Sequence, residues 1–179
     1  MSSRAAERHA AHGVGYLAAP VFGRVPVAEA GQLSILAGGP DDLIDQVQPI
    51  FDVIGSRTWR LGDLPEQANA VKVLGNYMVA CVIRSLGETV GVAERAGIDA
   101  AGVIDLLTAT LFPGAVYASY GQLIAQRRYR PAGFTTSLGR KDLHLALDAA
   151  DGLGVRLPFG EVLRTVFADA VAEGRGNDD

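Results

Sequence analysis

The sequence is poor in cysteine. Its one cysteine, Cys81, lies inside an apolar stretch of the chain. A lone cysteine excludes an internal disulfide, and a reducing compartment fits it best. In an apolar helix a cysteine is usually a small buried hydrophobic residue, so we expect no thiol chemistry from it.

Positive charge is also scarce and dispersed. The chain has 16 Lys and Arg residues against 20 Asp and Glu, which gives a net charge of −4 and a pI of about 5.3. Arg127, Arg128 and Arg130 are its densest basic segment, and binding to a phosphate backbone needs larger clusters. Nucleic acid is therefore not an expected partner. The three histidines are scattered, so no metal site is predicted.

Apolar targeting segments are missing as well. The first residues are polar, which argues against a signal peptide. The longest apolar stretch is interrupted by Lys72, Asn76, Arg84 and Glu88 before it reaches membrane-spanning length. We therefore expect a cytoplasmic protein that has no membrane partner.

Residues 1–62 combine helix-like and strand-like segments. Residues 25–30 are predicted to form a loop or short turn. Three short strands and two helices make a thin sheet whose edges lack neighbours, which is typical of part of an α/β domain. The predicted helices are Ser3–His12 and Leu43–Ile54, and the predicted strands are Tyr16–Phe22, Leu33–Ala37 and Arg57–Leu61.

Residues 63–179 have a helical pattern throughout, so the protein is predicted to be mainly α. The first of these helices is long, and Asp99 is expected to cap the second. The polar tail from Gly174 is expected to fray. The five predicted helices are Pro65–Ala96, Ala100–Thr110, Ala115–Arg127, Thr136–Leu153 and Pro158–Glu173.

Lys72 and Asn76 stand four residues apart in the long apolar helix, so they project from the same face. An ammonium buried without a partner has a lowered pKa, and such a lysine can exchange protons near neutrality. Such a lysine could serve as a general acid/base. The alternative is a surface lysine that extends its charge to water.

Gly13, Gly15 and Ala18 match the G-x-G-x-x-A dinucleotide fingerprint. That fingerprint requires a strand before the first glycine and a helix after the last one. Here the predicted helix comes first and the predicted strand follows. We therefore interpret the glycines as the end of a helix rather than a phosphate-binding loop.

Four segments occur in a characteristic order: Tyr16–Gly23, Ala28–Gly39, Asn69–Asn76 and Phe134–Leu147. Together they resemble the β-hydroxyacid dehydrogenases, which include 3-hydroxyisobutyrate dehydrogenase, glyoxylate/succinic semialdehyde reductase and, more distantly, 6-phosphogluconate dehydrogenase and the imine reductases. The resemblance implies a hydride transfer between NAD or NADP and a hydroxyacid or aldehyde. It also implies a homodimer or homotetramer.

The resemblance implies a domain organisation as well. Residues 1–62 would be the C-terminal part of a doubly wound Rossmann-type domain that lacks its N-terminal nucleotide-binding half. Residues 63–179 would be the all-α domain that dimerises and carries the active site. The chain alone would then have little activity.

Site residues follow from the same resemblance. Lys72 would be the general acid/base, Asn76 would bind the substrate, and Lys141 would reach toward the cofactor, although a surface role for Lys141 is also open. Phe22, Gly23 and Arg24 would form the substrate loop. The family loop usually reads Pro-Val-Ser-Gly-Gly, so Phe22 replaces a serine and Arg24 a glycine, and this loop is compatible with a bulkier carbonyl compound or an imine.

Two other functions stay open at this point. A noncatalytic helical dimerisation module would need only the broad apolar face of the long helix. An imine reductase is the second alternative. Those enzymes usually carry a residue other than lysine at the position of Lys72, so the lysine favours alcohol and carbonyl chemistry.

Overall fold

The computed structural model describes residues 2–179, so Met1, the first residue of the predicted 1–62 domain, lies outside it. The chain divides into two compact units, one ending at Leu74 and the other comprising Gly75–Asp179. The helices are α1 (Ser2–Ala10), α2 (Val25–Glu29), α3 (Asp41–Ile54), α4 (Pro65–Arg95), α5 (Ala100–Thr110), α6 (Ala115–Ala125), α7 (Thr136–Asp151) and α8 (Pro158–Ala172), and the strands are β1 (Val21–Phe22), β2 (Leu33–Ala37) and β3 (Gly55–Arg60).

The first unit is built on a small sheet with the strand order β1-β2-β3. β1 is antiparallel to β2, and β2 is parallel to β3. Helix α3 makes the crossover between the parallel strands, as a parallel pair requires. One face of β2 packs against α3, and this core contains Ile35, Ala37, Ile44 and Phe51.

Two expectations for the first unit are wrong in detail. The predicted loop at residues 25–30 contains α2, which begins with Pro26 in its first turn, where proline is well tolerated. The predicted strand Tyr16–Phe22 pairs as a strand only at Val21–Phe22, with one isolated bridge from Ala18. Pro20 has no N–H to donate, so the ladder cannot be continuous there.

The second unit is helical. Helix α5 begins where the sequence predicted, because the Asp99 carboxylate accepts hydrogen bonds from the backbone N–H groups of Ala101 and Gly102. α5 packs against α6, and α7 against α8. The core around α4, α5 and α6 contains Leu86, Val90, Ala93, Ala100, Ile104 and Tyr120.

Helix α4 is the longest element, with 31 residues. By length and mean hydropathy alone it would suffice to cross a membrane. The helix nevertheless carries four polar residues, Lys72, Asn76, Arg84 and Glu88. Much of its apolar surface is exposed within this chain, and Met78 is 65% exposed.

The polar tail from Gly174 is ordered by hydrogen bonds, contrary to the expectation of fraying. The backbone N–H of Thr136 donates to the carbonyl of Asp178, at 2.8 Å, and that of Ser137 to the carbonyl of Gly176, at 3.0 Å. The tail therefore supplies acceptors to N–H groups in the first turn of α7, which have no partner within the helix itself.

Candidate active site

Lys72 lies in the part of α4 that belongs to the first unit, and its side chain is partly buried. Its ammonium nitrogen lies 4.4 Å from the centroid of the Phe22 ring. An ammonium over an aromatic face at this distance makes a cation–π interaction. The structure thus brings together two of the residues that the sequence predicted for the site.

The chain positions these two residues through a shared neighbour. Phe22 ends β1, where it pairs with Ser34 of β2. Its side chain packs against a small buried cluster that includes Ala68 of α4. Ala68 is 0% exposed and precedes Lys72 by one helical turn, so both face the same side of α4. The ring is therefore held against the helix face from which Lys72 projects.

Gly23 and Arg24 follow β1 at the surface. Gly23 has φ +140°, which favours glycine, and a Cβ there would lie 2.6 Å from Leu33 Cδ2. The carbonyl of Arg24 accepts hydrogen bonds from the backbone N–H groups of Val27 and Ala28, which begins α2. The side chain of Arg24 is exposed. Gly23 follows Phe22 directly and Arg24 comes next, and their backbone directs the exit from the strand.

The second unit contains a chain of three polar side chains. Asn76 of α4 donates from Nδ2 to Oδ2 of Asp142, at 2.7 Å. The other oxygen of Asp142 pairs with the ammonium of Lys141, at 2.5 Å. Asp142 is 9% exposed, whereas the side chain of Lys141 is 60% exposed. The ionised carboxylate has only acceptors, so the Asn76 amide must turn its NH₂ group toward it.

Asp142 is the residue that sequence reasoning missed as part of the site. The sequence does contain a signal for it, because Asp142, Ala146 and Ala150 follow one another at intervals of four along α7. Both alanines are buried, so Asp142 occupies a core-facing position of the helix. A carboxylate at such a position requires a hydrogen-bond partner, and Asn76 supplies one.

The glycines at positions 13 and 15 do not form a phosphate-binding loop. Helix α1 ends at Ala10, before both glycines, and the extended segment at Ala18 follows them. A Cβ on Gly15 would lie 2.7 Å from the Leu43 side chain, so packing explains the absence of a side chain there. This agrees with the interpretation from the order of the elements.

The turn from β2 to α3 connects a strand to a helix, which is the order of elements around a phosphate-binding loop. Its surroundings, however, do not suit a phosphate. A Cβ on Gly38 would lie 2.9 Å from both Ala68 and the carbonyl of Leu64, so that glycine serves packing. The first turn of α3 carries Asp41 and Asp42, which repel a phosphate. Neither this turn nor the Gly13–Gly15 segment therefore fits the pyrophosphate of a dinucleotide.

Tyr77 and Cys81 are two further titratable residues that follow Asn76 in α4. Burial raises the pKa of Tyr77, and its hydrogen bond with the Cys81 thiol raises it further. Within residues 2–179 no three His, Cys, Asp or Glu side chains are grouped so that they could hold a metal ion. The candidate groups are therefore the Lys72 amine in the first unit and, separately, the Asn76 amide and the Asp142 carboxylate in the second.

Comparison with protein families agrees with this architecture. Residues 67–179 match the family described as NAD-binding of NADP-dependent 3-hydroxyisobutyrate dehydrogenase. Residues 1–64 match the NAD binding domain of 6-phosphogluconate dehydrogenase. The chain belongs to the β-hydroxyacid dehydrogenase family. Both parts of this family member thus match NAD-binding models, and neither model describes a membrane protein.

Individual relatives extend the match over nearly the whole chain. It is 33% identical to the uncharacterized oxidoreductase YfjR of Bacillus subtilis, over 99% of this chain and 62% of the relative. It is 30% identical to 2-(hydroxymethyl)glutarate dehydrogenase of Eubacterium barkeri, over 100% of this chain and 58% of the relative. The crystal structure of 3-hydroxyisobutyrate dehydrogenase from Salmonella typhimurium superposes with a TM-score of 0.89 at 25% identity, and the match covers 99% of this chain and 62% of that one.

These matches confirm the family, the fold class and the cofactor class that the sequence predicted. The fold is part of a Rossmann-type sheet followed by a helical domain, and the family uses NAD or NADP. The chain spans about three-fifths of the length of the relatives it matches. The roles of Lys72, Asn76, Lys141 and the substrate loop stay predictions.

Proposed function

We propose that this chain is the C-terminal portion of an NAD(P)-dependent oxidoreductase that acts on a hydroxyacid or the corresponding aldehyde, with Lys72 as general acid/base. The observation that carries the proposal is the position of Lys72 in a member of this family. It is partly buried in α4, with its ammonium against Phe22 and with Asn76 one helical turn further on. NAD(P) would supply or accept the hydride.

Lys72 would handle the proton. In the reductive direction its ammonium would give a proton to the oxygen of the substrate carbonyl, and in oxidation its amine would take that proton back. The positive charge would also stabilise the alkoxide as it develops, an interaction that is stronger in the transition state than in the bound substrate. General acid/base catalysis of this kind contributes roughly 10²–10⁴-fold in rate.

Asn76 would orient the substrate. Asp142 takes one N–H of its amide, which leaves the amide oxygen and the second N–H for a ligand. The oxygen could accept from a substrate hydroxyl, and the remaining N–H could donate to a carboxylate. Because Asp142 is itself buried, the amide would be oriented before the substrate arrives, which lowers the entropic cost of alignment.

Phe22, Gly23 and Arg24 would form the substrate loop. Arg24 is the cationic residue of this segment, and a guanidinium can bind a carboxylate through two parallel hydrogen bonds. Phe22 would make the side next to Lys72 apolar. The related 2-(hydroxymethyl)glutarate dehydrogenase acts, by its name, on an acid that carries a hydroxymethyl group. We therefore propose a carboxylate-bearing substrate that is bulkier than the smallest hydroxyacids.

Lys141 would contact the cofactor, because its exposed ammonium at the start of α7 could meet a negatively charged group. Neither the Gly13–Gly15 segment nor the β2–α3 turn suits a pyrophosphate, and we propose that the 179-residue chain turns over slowly when alone. Robust turnover by the purified chain would contradict this part of the proposal. A chain completed by a nucleotide-binding half before Met1 should be much faster.

The test of the proposed function is the variant Lys72→Ala in such a completed chain. NAD(P)H oxidation with an aldehyde substrate, followed by absorbance, should fall by about 10²-fold or more, while cofactor binding measured by fluorescence stays unchanged. Lys141→Ala is the matched control, since it removes the chain's other lysine and should weaken cofactor binding instead. Unchanged turnover in Lys72→Ala would refute the acid/base role.

A noncatalytic dimerisation module is the second candidate, and the exposed apolar residues of α4 favour it. Val71, Leu74 and Met78 are exposed and lie at helical spacing. A second copy of the chain could cover them in a homodimer or homotetramer. Light scattering combined with cofactor titration separates the candidates. A stable oligomer that binds no NAD(P), either as the 179-residue chain or after completion by a nucleotide-binding half, would favour the module. We propose a cytoplasmic location in either case, consistent with the lone cysteine.

A further inference from the structure

We propose that Phe22 is a positioning residue for Lys72: its ring face holds the ammonium in the place from which it exchanges a proton with the substrate. This inference rests on the proposed function of Lys72. It concerns how the amine is fixed, which neither the family nor the predicted substrate loop specifies.

The first argument is geometric. The ammonium lies 4.4 Å from the ring centroid, inside the roughly 6 Å range of a cation–π interaction. A lysine side chain has four rotatable carbon–carbon bonds, and fixing them costs conformational entropy. A favourable contact at the end of the chain offsets part of that cost, and the amine then samples fewer positions.

The second argument is the rigidity of the ring itself. Phe22 pairs with Ser34 through β1 and β2, and its side chain packs against buried residues of the sheet and of α4. Among them is Ala68, which is completely buried and lies one turn before Lys72. The ring therefore stands in a fixed relation to the helix that carries the amine. A mobile surface phenylalanine would give no such support.

The third argument is chemical. A carboxylate partner would occupy the N–H hydrogens of the ammonium, whereas the face of a ring attracts the charge without a hydrogen-bond acceptor. Phe22 thus attracts the cation without itself occupying any of the N–H hydrogens of the ammonium. The hydroxyl group of a serine at this position could not attract the cation in the same way.

The test uses the fact that the chain has only two lysines, Lys72 and Lys141. Reductive methylation with ¹³C-formaldehyde labels both side chains and the N-terminal amine, and methylation keeps the positive charge. In the purified 179-residue chain, the ring current of Phe22 should shift the methyl resonances of Lys72 upfield relative to those of Lys141. Spectra of Lys72→Ala and Lys141→Ala assign the signals.

Two substitutions at Phe22 complete the experiment. In Phe22→Leu the Lys72 resonance should move to the position of the Lys141 resonance and narrow, as the methyl groups gain mobility. In Phe22→Tyr, which keeps the aromatic face, the upfield shift should persist. Circular dichroism and the fluorescence of Trp59, the single tryptophan, report whether each variant is folded.

The outcomes separate this inference from the proposed function. A wild-type Lys72 resonance that coincides with that of Lys141 overturns the inference, even if Phe22→Leu fails to fold. An upfield shift that survives in folded Phe22→Leu also overturns it. Turnover of Lys72→Ala decides the acid/base role independently, so the amine can prove to be held by the ring and yet not be catalytic, or the reverse.

Discussion

Removal of the Asp142 carboxylate should destabilise the helical unit substantially, and most of the effect should come from Asn76 rather than Lys141. Asp142 is 9% exposed and accepts from Asn76 Nδ2 at 2.7 Å, whereas the Lys141 side chain is 60% exposed. The perturbation is Asp142→Ala, combined with Asn76→Ala and Lys141→Ala in two double-mutant cycles.

The magnitudes follow from the surroundings of each contact. A hydrogen bond to a charged group contributes about 1.5–3 kcal/mol, and leaving a buried donor unsatisfied costs about 1–3 kcal/mol. The ion pair with the exposed lysine is screened by water and contributes about 0.2–1 kcal/mol. We therefore expect Asp142→Ala to lower the free energy of unfolding by about 2–4 kcal/mol.

Urea unfolding followed by circular dichroism at a helical wavelength measures these changes, because the second unit is helical. The coupling energy between Asp142 and Asn76 should be about 1.5–2.5 kcal/mol, and that between Asp142 and Lys141 below about 1 kcal/mol. A coupling to Lys141 equal to or larger than the coupling to Asn76 would refute the reasoning. Asp142→Asn, which keeps an acceptor oxygen, should lose less stability than Asp142→Ala.

Four further substitutions, one of them a control, test the packing and the titration of the fold. Ile104→Ala removes a completely buried side chain and should cost about 2–5 kcal/mol in urea unfolding, and a loss below 1 kcal/mol would contradict its core position. Gly23→Ala should destabilise the first unit by about 1–3 kcal/mol, seen in Trp59 fluorescence, because φ is +140°. Gly87→Ala in α4, where a Cβ meets nothing within 4 Å, is its control and should stabilise by about 0.4–1 kcal/mol. The raised pKa of Tyr77 means that the folded state holds the phenol proton more tightly, so stability falls as the pH rises above the ordinary value of 10.0. Tyr77→Phe should show a smaller fall over that range in urea unfolding.

Local signals in the sequence placed most of the helices and strands. β2 and α5 begin and end at the predicted residues, because Asp99 caps α5 and the glycines after Ala37 stop the strand. α2 was missed because a proline next to two valines is typical of a loop in sequence, although proline fits the first turn of a helix well.

Contacts between distant residues could be predicted only in part. Lys72 and Asn76 were identified by their spacing within one helix, but their partners Phe22 and Asp142 are respectively 50 and 66 residues away along the chain. Such pairs depend on how strands and helices pack, which no short pattern encodes. The spacing of Ala146 and Ala150 in α7 nevertheless indicates that Asp142 occupies a core-facing position.

Asp142 contacts Asn76 and Phe22 contacts Lys72, and these two contacts differ in kind. The difference matches the proposed roles of Asn76 and Lys72. Asn76 is proposed to orient a ligand without changing its own protonation, so a strong, directional bond to a buried carboxylate suits it. Lys72 is proposed to give and take a proton, and the Phe22 ring faces its ammonium without accepting that proton in a hydrogen bond. The ring of Phe22 attracts the cation with a weaker, less directional interaction of about 0.5–1 kcal/mol at a partly exposed site. The ring helps to locate the amine without competing for its proton, which suits a general acid/base.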